Sequence, residues 1–218
     1  MIDSMDECHE RSADDFRRRI EIGAHDRLAF RAALLAVPRD TRDAWLDRVL
    51  DIGAHPDDGP ELPRGCVPYL PCGVDALLDV IDGAEIGPTD VFVDVGSGIG
   101  RAMALVHLLT GAAGIGIEIQ SELVRRARDV SRLVSPSISN VHGDATELAG
   151  YMMIGSVFFL YCPFSGERLS KVLADLEAIA RTRPIRVCCV DLPLPACEWL
   201  APQHGSATIY RSAPVLRV

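Results

Sequence analysis

The sequence lacks any apolar run of the roughly 20 residues that a membrane-spanning helix needs. Its acidic start has neither the basic nor the apolar region of a signal peptide. We therefore expect a cytoplasmic protein without a membrane partner. With 218 residues, 48% of them hydrophobic, the chain is expected to form one domain, or one domain with an attached helical segment.

Paired cysteines and excess positive charge are also missing. The seven cysteines are an odd number and none stand in a CxxC pattern, so neither a disulfide framework nor a metal site such as zinc is indicated. Lysine and arginine total 22 against 31 acidic residues, for a formal net charge of −9. Because affinity for nucleic acids comes from cations that neutralise phosphates, a nucleic-acid partner is not expected.

What the chain does contain is concentrated in residues 91–100. Residues 91–95 are a short apolar run that predicts a buried strand, and three glycines follow at alternate positions. Good helix formers without glycine or proline come next. A strand, a glycine turn and a helix in direct succession are typical of the place where an α/β sheet binds a nucleotide-like ligand.

The spacing of these glycines indicates which ligand to expect. The dinucleotide fingerprint requires a further glycine where this chain has Arg101, which disfavours an NAD-dependent dehydrogenase. The pattern Asp-x-Gly-x-Gly-x-Gly instead resembles motif I of the class I S-adenosylmethionine (SAM) methyltransferases. An ordinary tight turn between strand and helix is the alternative. The resemblance implies a cofactor loop made by Asp94, Gly96, Ser97, Gly98 and Gly100.

A second predicted strand, residues 114–119, ends in an acidic residue, Glu118, with Ile119 beside it. Glu118 lies 22 residues after Gly96, and a carboxylate at the end of the second strand can accept hydrogen bonds from ribose hydroxyls. Alternatively, Glu118 is a solvated acid that opens the helix predicted over residues 121–133. The glycine loop in front of it favours the role in cofactor binding.

A third predicted strand, residues 137–142, runs into Gly143, Asp144 and Ala145. In the class that the chain resembles, an acid at this position receives the adenine amino group while the neighbouring backbone contacts the ring. Asp144 is also suited to be the N-cap of a short helix, and the two roles are compatible. We expect these three residues to lie at the adenine site.

The fourth predicted strand ends in Tyr161, followed by Cys, Pro163 and Phe164. Many amine-modifying methyltransferases carry (Asn/Asp)-Pro-Pro-(Tyr/Phe) here, and this chain keeps the proline and an aromatic residue but not the Asn or Asp. Methylation of adenine or glutamine nitrogen therefore loses support. The resemblance implies that Tyr161 borders both cofactor and acceptor, although an aromatic residue that closes the core rim is the alternative.

Two groups are candidates to remove a proton from an ammonium acceptor: Tyr161 and Asp191, which ends the fifth predicted strand. Asp191 is equally suited to cap a turn before the following Leu-Pro. No catalytic dyad is visible. None is required, because the methyl group of SAM is already activated and the protein mainly aligns the acceptor and excludes water.

Residues 1–66 predict an N-terminal helical segment without a motif, with a first helix starting at Ser12. Three roles are open for this segment: it could cap the active site, mediate dimerisation or simply pack on the sheet. The stretch after it, with Tyr69 and Pro71, is similar to the cofactor-bordering segment of Dot1-type and FAM173-type lysine methyltransferases. Cys72 stands where those families often carry Thr.

Together these features predict an α/β fold, a doubly wound, mostly parallel sheet of seven strands over residues 67–218, ending in strands at 206–212 and 214–218. The predicted function is SAM-dependent methyl transfer to a protein side chain, for example that of lysine, or to a small molecule. A SAM-binding regulatory or scaffold protein without turnover is the alternative. The acceptor and the oligomeric state are left open.

Overall fold

The computed structural model describes residues 2–54 and 62–213, and all statements below refer to these. Their strands are β1 (Val91–Val95), β2 (Ala113–Glu118), β3 (Ile138–His142), β4 (Val157–Tyr161), β5 (Arg186–Val190), β6 (Leu200–Pro202) and β7 (Ile209–Ser212). They form one seven-stranded sheet in the order β3-β2-β1-β4-β5-β7-β6. The pairs among β1–β5 are parallel, and β7 is antiparallel to β5 and β6. The predicted fold class is confirmed.

The helices of the described residues are α1 (Ile2–Glu21), α2 (Arg27–Ala36), α3 (Arg42–Val49), α4 (Val74–Gly83), α5 (Arg101–Thr110), α6 (Ser121–Val134), α7 (Ala145–Leu148) and α8 (Gly166–Ala180). None of the helices within these residues combines the length and apolar character that crossing a membrane requires.

Successive side chains along each strand point to opposite faces of the sheet, so the hydrophobic core is divided between these two faces. Phe92 and Phe159 pack with the first six helices, whereas Val93 and Phe158 pack with α7 and α8. All four side chains are fully buried. Because both faces are covered, the central strands β1 and β4 are apolar apart from Asp94 and Tyr161, and this apolar character is how residues 91–95 could be recognised as a buried strand.

The N-terminal segment joins the core of the first face through aromatic residues. The ring of Phe30 lies 5.4 Å from that of Phe16 and 5.5 Å from that of Trp45, all three side chains being buried. α2 packs against α5 and α1 packs against α6, so these two helices of the segment cover other helices. Its role in capping or dimerisation stays a prediction.

Two local predictions differ from the structure. The helix start at Ser12 is wrong, because α1 begins at Ile2 and is held by ion pairs from Arg48 of α3 to Glu10 and Asp14. The antiparallel edge of the sheet pairs β7 with β6, a strand that the prediction missed. The predicted strand at 214–218 lies outside the described residues.

Candidate functional site

A cleft opens at the carboxyl ends of the five parallel strands. A segment before α4, residues 62–70, borders its other side, and we call this the roof segment. Nine of the predicted site residues line the cleft: Tyr69, Gly96, Glu118, Ile119, Gly143, Asp144, Ala145, Tyr161 and Asp191. The chain thus brings together residues from each of the five strand ends, as a site at the carboxyl edge of a parallel sheet requires.

The roof segment is fixed to the chain that leaves β4. The backbone N–H of Val67 donates to the carbonyl of Pro163 at 3.1 Å, and the N–H of Ser165 donates to the carbonyl of Gly65, also at 3.1 Å. Between these bonds, Cys66 forms a β-bridge with Phe164. These bonds hold the roof segment against the end of β4 where an acceptor is expected.

Tyr69 brings the roof segment into contact with the glycine loop. Gly98 has a φ of +53°, and a Cβ placed on it would lie 2.2 Å from ring carbon Cε2 of Tyr69. Gly96 has a φ of +83°, and its Cβ would lie 2.6 Å from Cβ of Pro163. Both glycines are therefore required by packing inside the protein, in addition to any contact with a ligand.

Glu118 is held at the cleft wall by backbone donors on both sides. Its two carboxylate oxygens accept from the N–H of Gly98 at 2.9 Å and from the N–H of Gln120 at 2.8 Å, and the residue is buried. Glu118 is therefore not simply a solvated acid that opens the next helix, because its carboxylate joins the glycine loop to the end of β2. In this position it also suits the hydroxyls of a ribose, a role that stays a prediction.

Asp94 lies behind the cleft wall in β1 and is buried. Burial, and then the nearby Glu118, raise the pKa of Asp94 to about 8. Below that pH the carboxyl is mostly neutral, and a bound cation would favour its ionised form. The amino group of SAM is such a cation, so the site fits the cofactor that motif I implies.

Four further predicted residues also lie outside the lining of the cleft. Gly100 has a φ of +78° and precedes α5, with Ala127 3.3 Å from the position of an added Cβ. The buried hydroxyl of Ser97 lies beneath the loop, where an added Cβ on Gly116 would come within 2.5 Å of it. Gly98 is covered by Tyr69, and Pro71 lies beyond the roof segment. Their cofactor roles stay predictions.

Asp144 has the predicted N-cap role. Its oxygen Oδ1 accepts from the N–H of Thr146 at 2.9 Å and from the Thr146 hydroxyl at 2.8 Å. Both oxygens also accept from Nη1 of Arg168, each at 2.9 Å. Burial alone would raise the pKa of Asp144, but the bonds from Thr146 and Arg168 outweigh burial and lower it.

Arg168 lines the cleft and is a site residue that sequence reasoning missed. It stands in the first turn of α8, and its partner Asp144 is 24 residues away in the chain. Only the packing of α8 beside α7 reveals this pair. Arg168 therefore links the predicted adenine side of the cleft to the chain that follows β4.

The end of the cleft where β4 and β5 end is where an acceptor is expected, and we call it the acceptor end. Cys162 and Asp191 directly follow these strands with φ values of +44° and +52°. Such left-handed backbone is rare for residues other than glycine and is concentrated at functional sites. Burial, followed by the charges of neighbouring groups, raises the pKa of Tyr161, so its phenol is neutral, whereas Asp191 is exposed to solvent.

Comparison with known proteins gives one family match. Residues 71–148 match the family model described as "Histone methylation protein DOT1". The match extends from Pro71 through the glycine loop, Glu118 and Asp144 to the end of α7, which is the cofactor half of the cleft. No curated protein matches the chain.

Solved structures of methyltransferases resemble parts of the chain. An RNA methyltransferase from Salinibacter ruber in complex with S-adenosylhomocysteine (SAH) is 26% identical over 66% of this chain and 92% of that chain, with a TM-score of 0.48. A precorrin-6y C5,15-methyltransferase from Geobacter metallireducens is 15% identical over 58% of this chain and 68% of that one, also at 0.48. A SAM-dependent methyltransferase from Geobacter sulfurreducens is 22% identical over 52% and 47%, at 0.41.

Together with the strand order and the cleft, the family match supports the prediction of a class I SAM-dependent methyltransferase. Over residues 71–148 the chain is Dot1-like, whereas its first 70 residues and the acceptor end of its cleft lie outside the family match.

Proposed function

We propose that the protein transfers the methyl group of SAM to an amine nitrogen of a protein side chain, with lysine as the acceptor. The observation that carries the proposal is the position of Asp191, an exposed carboxylate at the acceptor end of the cofactor cleft. An amine acceptor arrives as an ammonium, which a carboxylate attracts. The amine then has to lose a proton before it becomes a nucleophile.

The other acids in the cleft are less suited to receive that proton. Among the described residues that line it, Glu118 accepts from two backbone amides and Asp144 is paired with Arg168. Tyr161 has a raised pKa, so its phenol is not a base near neutral pH. We therefore assign proton removal to Asp191 and leave Tyr161 to orient the nitrogen through its hydroxyl or ring.

SAM, when bound, supplies a methyl group on a positively charged sulfur, and transfer to the nitrogen releases SAH. The chain's own residues align the acceptor at the ends of β4 and β5 and exclude water from it. Pro163 and the roof segment enclose this end of the cleft from two sides.

A protein acceptor is favoured over a small molecule by two observations. The cleft is bordered by exposed apolar side chains of the roof segment, Val67 at 41% and Leu70 at 62%, which provide contact area beyond the reacting group. The matching family is described by methylation of histones, which are proteins. The formal net charge of −9 suits a basic protein segment and opposes an RNA acceptor.

The test is to incubate the protein with methyl-labelled SAM and a lysate of its own organism, followed by acid hydrolysis and identification of the labelled product. We expect label in methyl-lysine from protein, and loss of labelling in Asp191→Asn. Asp79→Asn is the matched control, since Asp79 is an exposed acid on α4 that does not line the cleft.

Other outcomes distinguish the alternatives. Label in small molecules only would replace the protein acceptor with a metabolite. Tight binding of SAH without any labelling would support a regulatory or scaffold protein. Full activity of Asp191→Asn would remove Asp191 from the mechanism.

A further inference from the structure

Arg101 is a buried charge in a place that does not favour one. It is 4% exposed and is the first residue of α5, directly after Gly100. The N-terminus of a helix carries partial positive charge, which opposes a cation there. A buried guanidinium also needs partners that replace water.

Its partners come from the N-terminal segment. Nε of Arg101 donates to Asp47 at 2.6 Å, and Nη2 donates to the carboxylate of Asp43 at 2.6 Å, both acids lying on α3. Burial on its own would lower the pKa of Arg101, but Asp47 and Asp43 outweigh burial and raise it. The guanidinium therefore stays charged and fixes the glycine loop to α3.

The same group also holds the chain next to the roof segment. Nη1 of Arg101 donates to the carbonyl of Cys72 at 2.7 Å, and Asp43 accepts from the backbone N–H of Val74 at 3.0 Å. Cys72 stands three residues after Tyr69, whose ring covers Gly98. Arg101 thus joins three parts of the structure: the loop, α3 and the chain that positions Tyr69.

We propose that Arg101, with Asp43 and Asp47, is a positioning residue for the cofactor: it sets the separation between the glycine loop and Tyr69. The family match begins at residue 71, so both acids lie outside it. The N-terminal segment is then part of the binding site's construction and is required for cofactor affinity. The inference rests on SAM binding in the cleft and is independent of the acceptor.

The chain offers a matched control in Arg42, which is 9% exposed. Arg42 donates to Asp75 of α4 at 2.5 Å and to the carbonyl of Val37 at 3.0 Å. It therefore connects the same N-terminal segment to the rest of the protein through comparable bonds. Among the described residues, its hydrogen-bond partners are Val37, Leu35 and Asp75, which lie outside the glycine loop and the roof segment, so its loss measures the cost of removing a buried arginine in general.

The experiment compares Arg101→Met and Arg42→Met in the full chain. SAH binding is measured by calorimetry, stability by thermal unfolding, and local opening by hydrogen exchange of residues 66–73 and 96–100. We expect Arg101→Met to weaken SAH binding by about tenfold or more, as for a lost charge-assisted hydrogen bond. Exchange should also accelerate at both stretches. Arg42→Met should lose similar stability while SAH affinity stays within about twofold.

A second pair of variants covers the case in which Arg101→Met does not fold. Arg101→Lys keeps the charge but loses the forked donors, and Asp47→Asn removes one partner; both should weaken SAH binding by an intermediate amount. Unchanged affinity in the folded variants of Arg101 and Asp47 would overturn the proposal. So would a parallel loss of affinity and stability in Arg42→Met. Wild-type protein that does not bind SAH would instead refute cofactor binding in the cleft.

Discussion

At the scale of single residues, the site is governed by where charges are buried. Asp94 and Glu118 lie close enough for the second to raise the pKa of the first, and both are largely shielded from water. Asp144 has the opposite shift, because Arg168 and Thr146 stabilise its charged form. The pKa values of Asp94 and Asp144 therefore shift in opposite directions, upwards for Asp94 chiefly because of burial and downwards for Asp144 because of its hydrogen-bond donors.

Asp94 leads to a prediction on pH. Burial raises its pKa to about 8, so if the cofactor's ammonium binds beside Asp94 near pH 7, this carboxyl has to release a proton. SAH affinity should then increase from pH 6 to 8. Calorimetry in buffers of different ionisation enthalpy measures the released proton. Affinity that is independent of pH over this range would contradict the assignment.

The raised pKa of Asp94 also affects the stability of the protein without ligand, which should decrease with pH where SAH affinity increases. The pKa of Asp94 in the folded protein lies above its ordinary value of 3.8, so folding without ligand favours the protonated form. Stability from this group is present at low pH and is lost as the pH increases through about 8. Asp94→Asn should therefore raise the free energy of unfolding at pH 8 while weakening SAH binding.

Tyr161 is tested by two substitutions. If its hydroxyl orients the acceptor nitrogen, Tyr161→Phe should lower kcat while SAH affinity stays unchanged. If the ring is only a wall, Tyr161→Phe should be neutral and Tyr161→Ala should raise the acceptor KM. Steady-state kinetics with the acceptor found by labelling distinguish these cases, and unchanged kinetics in both variants would place the acceptor elsewhere.

At the scale of elements, the contact between the glycine loop and the roof segment is the one most open to test. Gly98→Ala places a methyl group against the ring of Tyr69 and forces a left-handed backbone on alanine, which costs about 1–2 kcal/mol by itself. We expect lower stability and weaker SAH binding.

Tyr69→Ala is the partner in a double-mutant cycle. Without the ring, Gly98→Ala should cost only the backbone strain, so the two substitutions should be coupled. If the changes in the free energy of unfolding caused by the two substitutions are additive, the ring of Tyr69 and the glycine loop do not interact. Denaturant titrations of the wild type, both single variants and the double variant supply the four values.

The cofactor half of the fold could be predicted from the sequence because its signals are local. The strand at 91–95 is found as β1, with its glycine turn and helix directly behind it, and Glu118 ends β2 as expected. The pairing of Arg168 with Asp144 could not be predicted, because it depends on how two helices pack. The prediction that the helix starts at Ser12 failed for a similar reason: Glu10, which precedes Ser12, is paired with Arg48 of α3, and sequence spacing does not show this pair.

At the scale of the whole molecule, the N-terminal helices and the sheet share one hydrophobic core. Phe30 is fully buried between Phe16 and Trp45 and belongs to the cluster that contains Phe92 of β1. The division at residue 66 that the sequence suggested is therefore crossed by continuous packing. Such packing favours unfolding as a single unit.

Phe30→Ala should consequently lower the stability of the entire protein by about 3–5 kcal/mol, the usual cost of removing a buried aromatic ring. Urea unfolding followed by circular dichroism and by tryptophan fluorescence should give coincident transitions in the wild type and in Phe30→Ala. Trp199→Phe leaves Trp45 as the reporter of the N-terminal segment. An early, separate transition of Trp45 would show that the segment unfolds alone.

The left-handed residues at the ends of β4 and β5 imply that this protein is less stable than its own fold allows. Cys162 and Asp191 each keep a side chain where glycine would adopt the same backbone without strain. Cys162→Gly should therefore raise the free energy of unfolding by roughly 1 kcal/mol in denaturant titrations. A variant that is more stable and less active would show that the left-handed backbone at the ends of β4 and β5 lowers the stability of the protein and is needed for its activity.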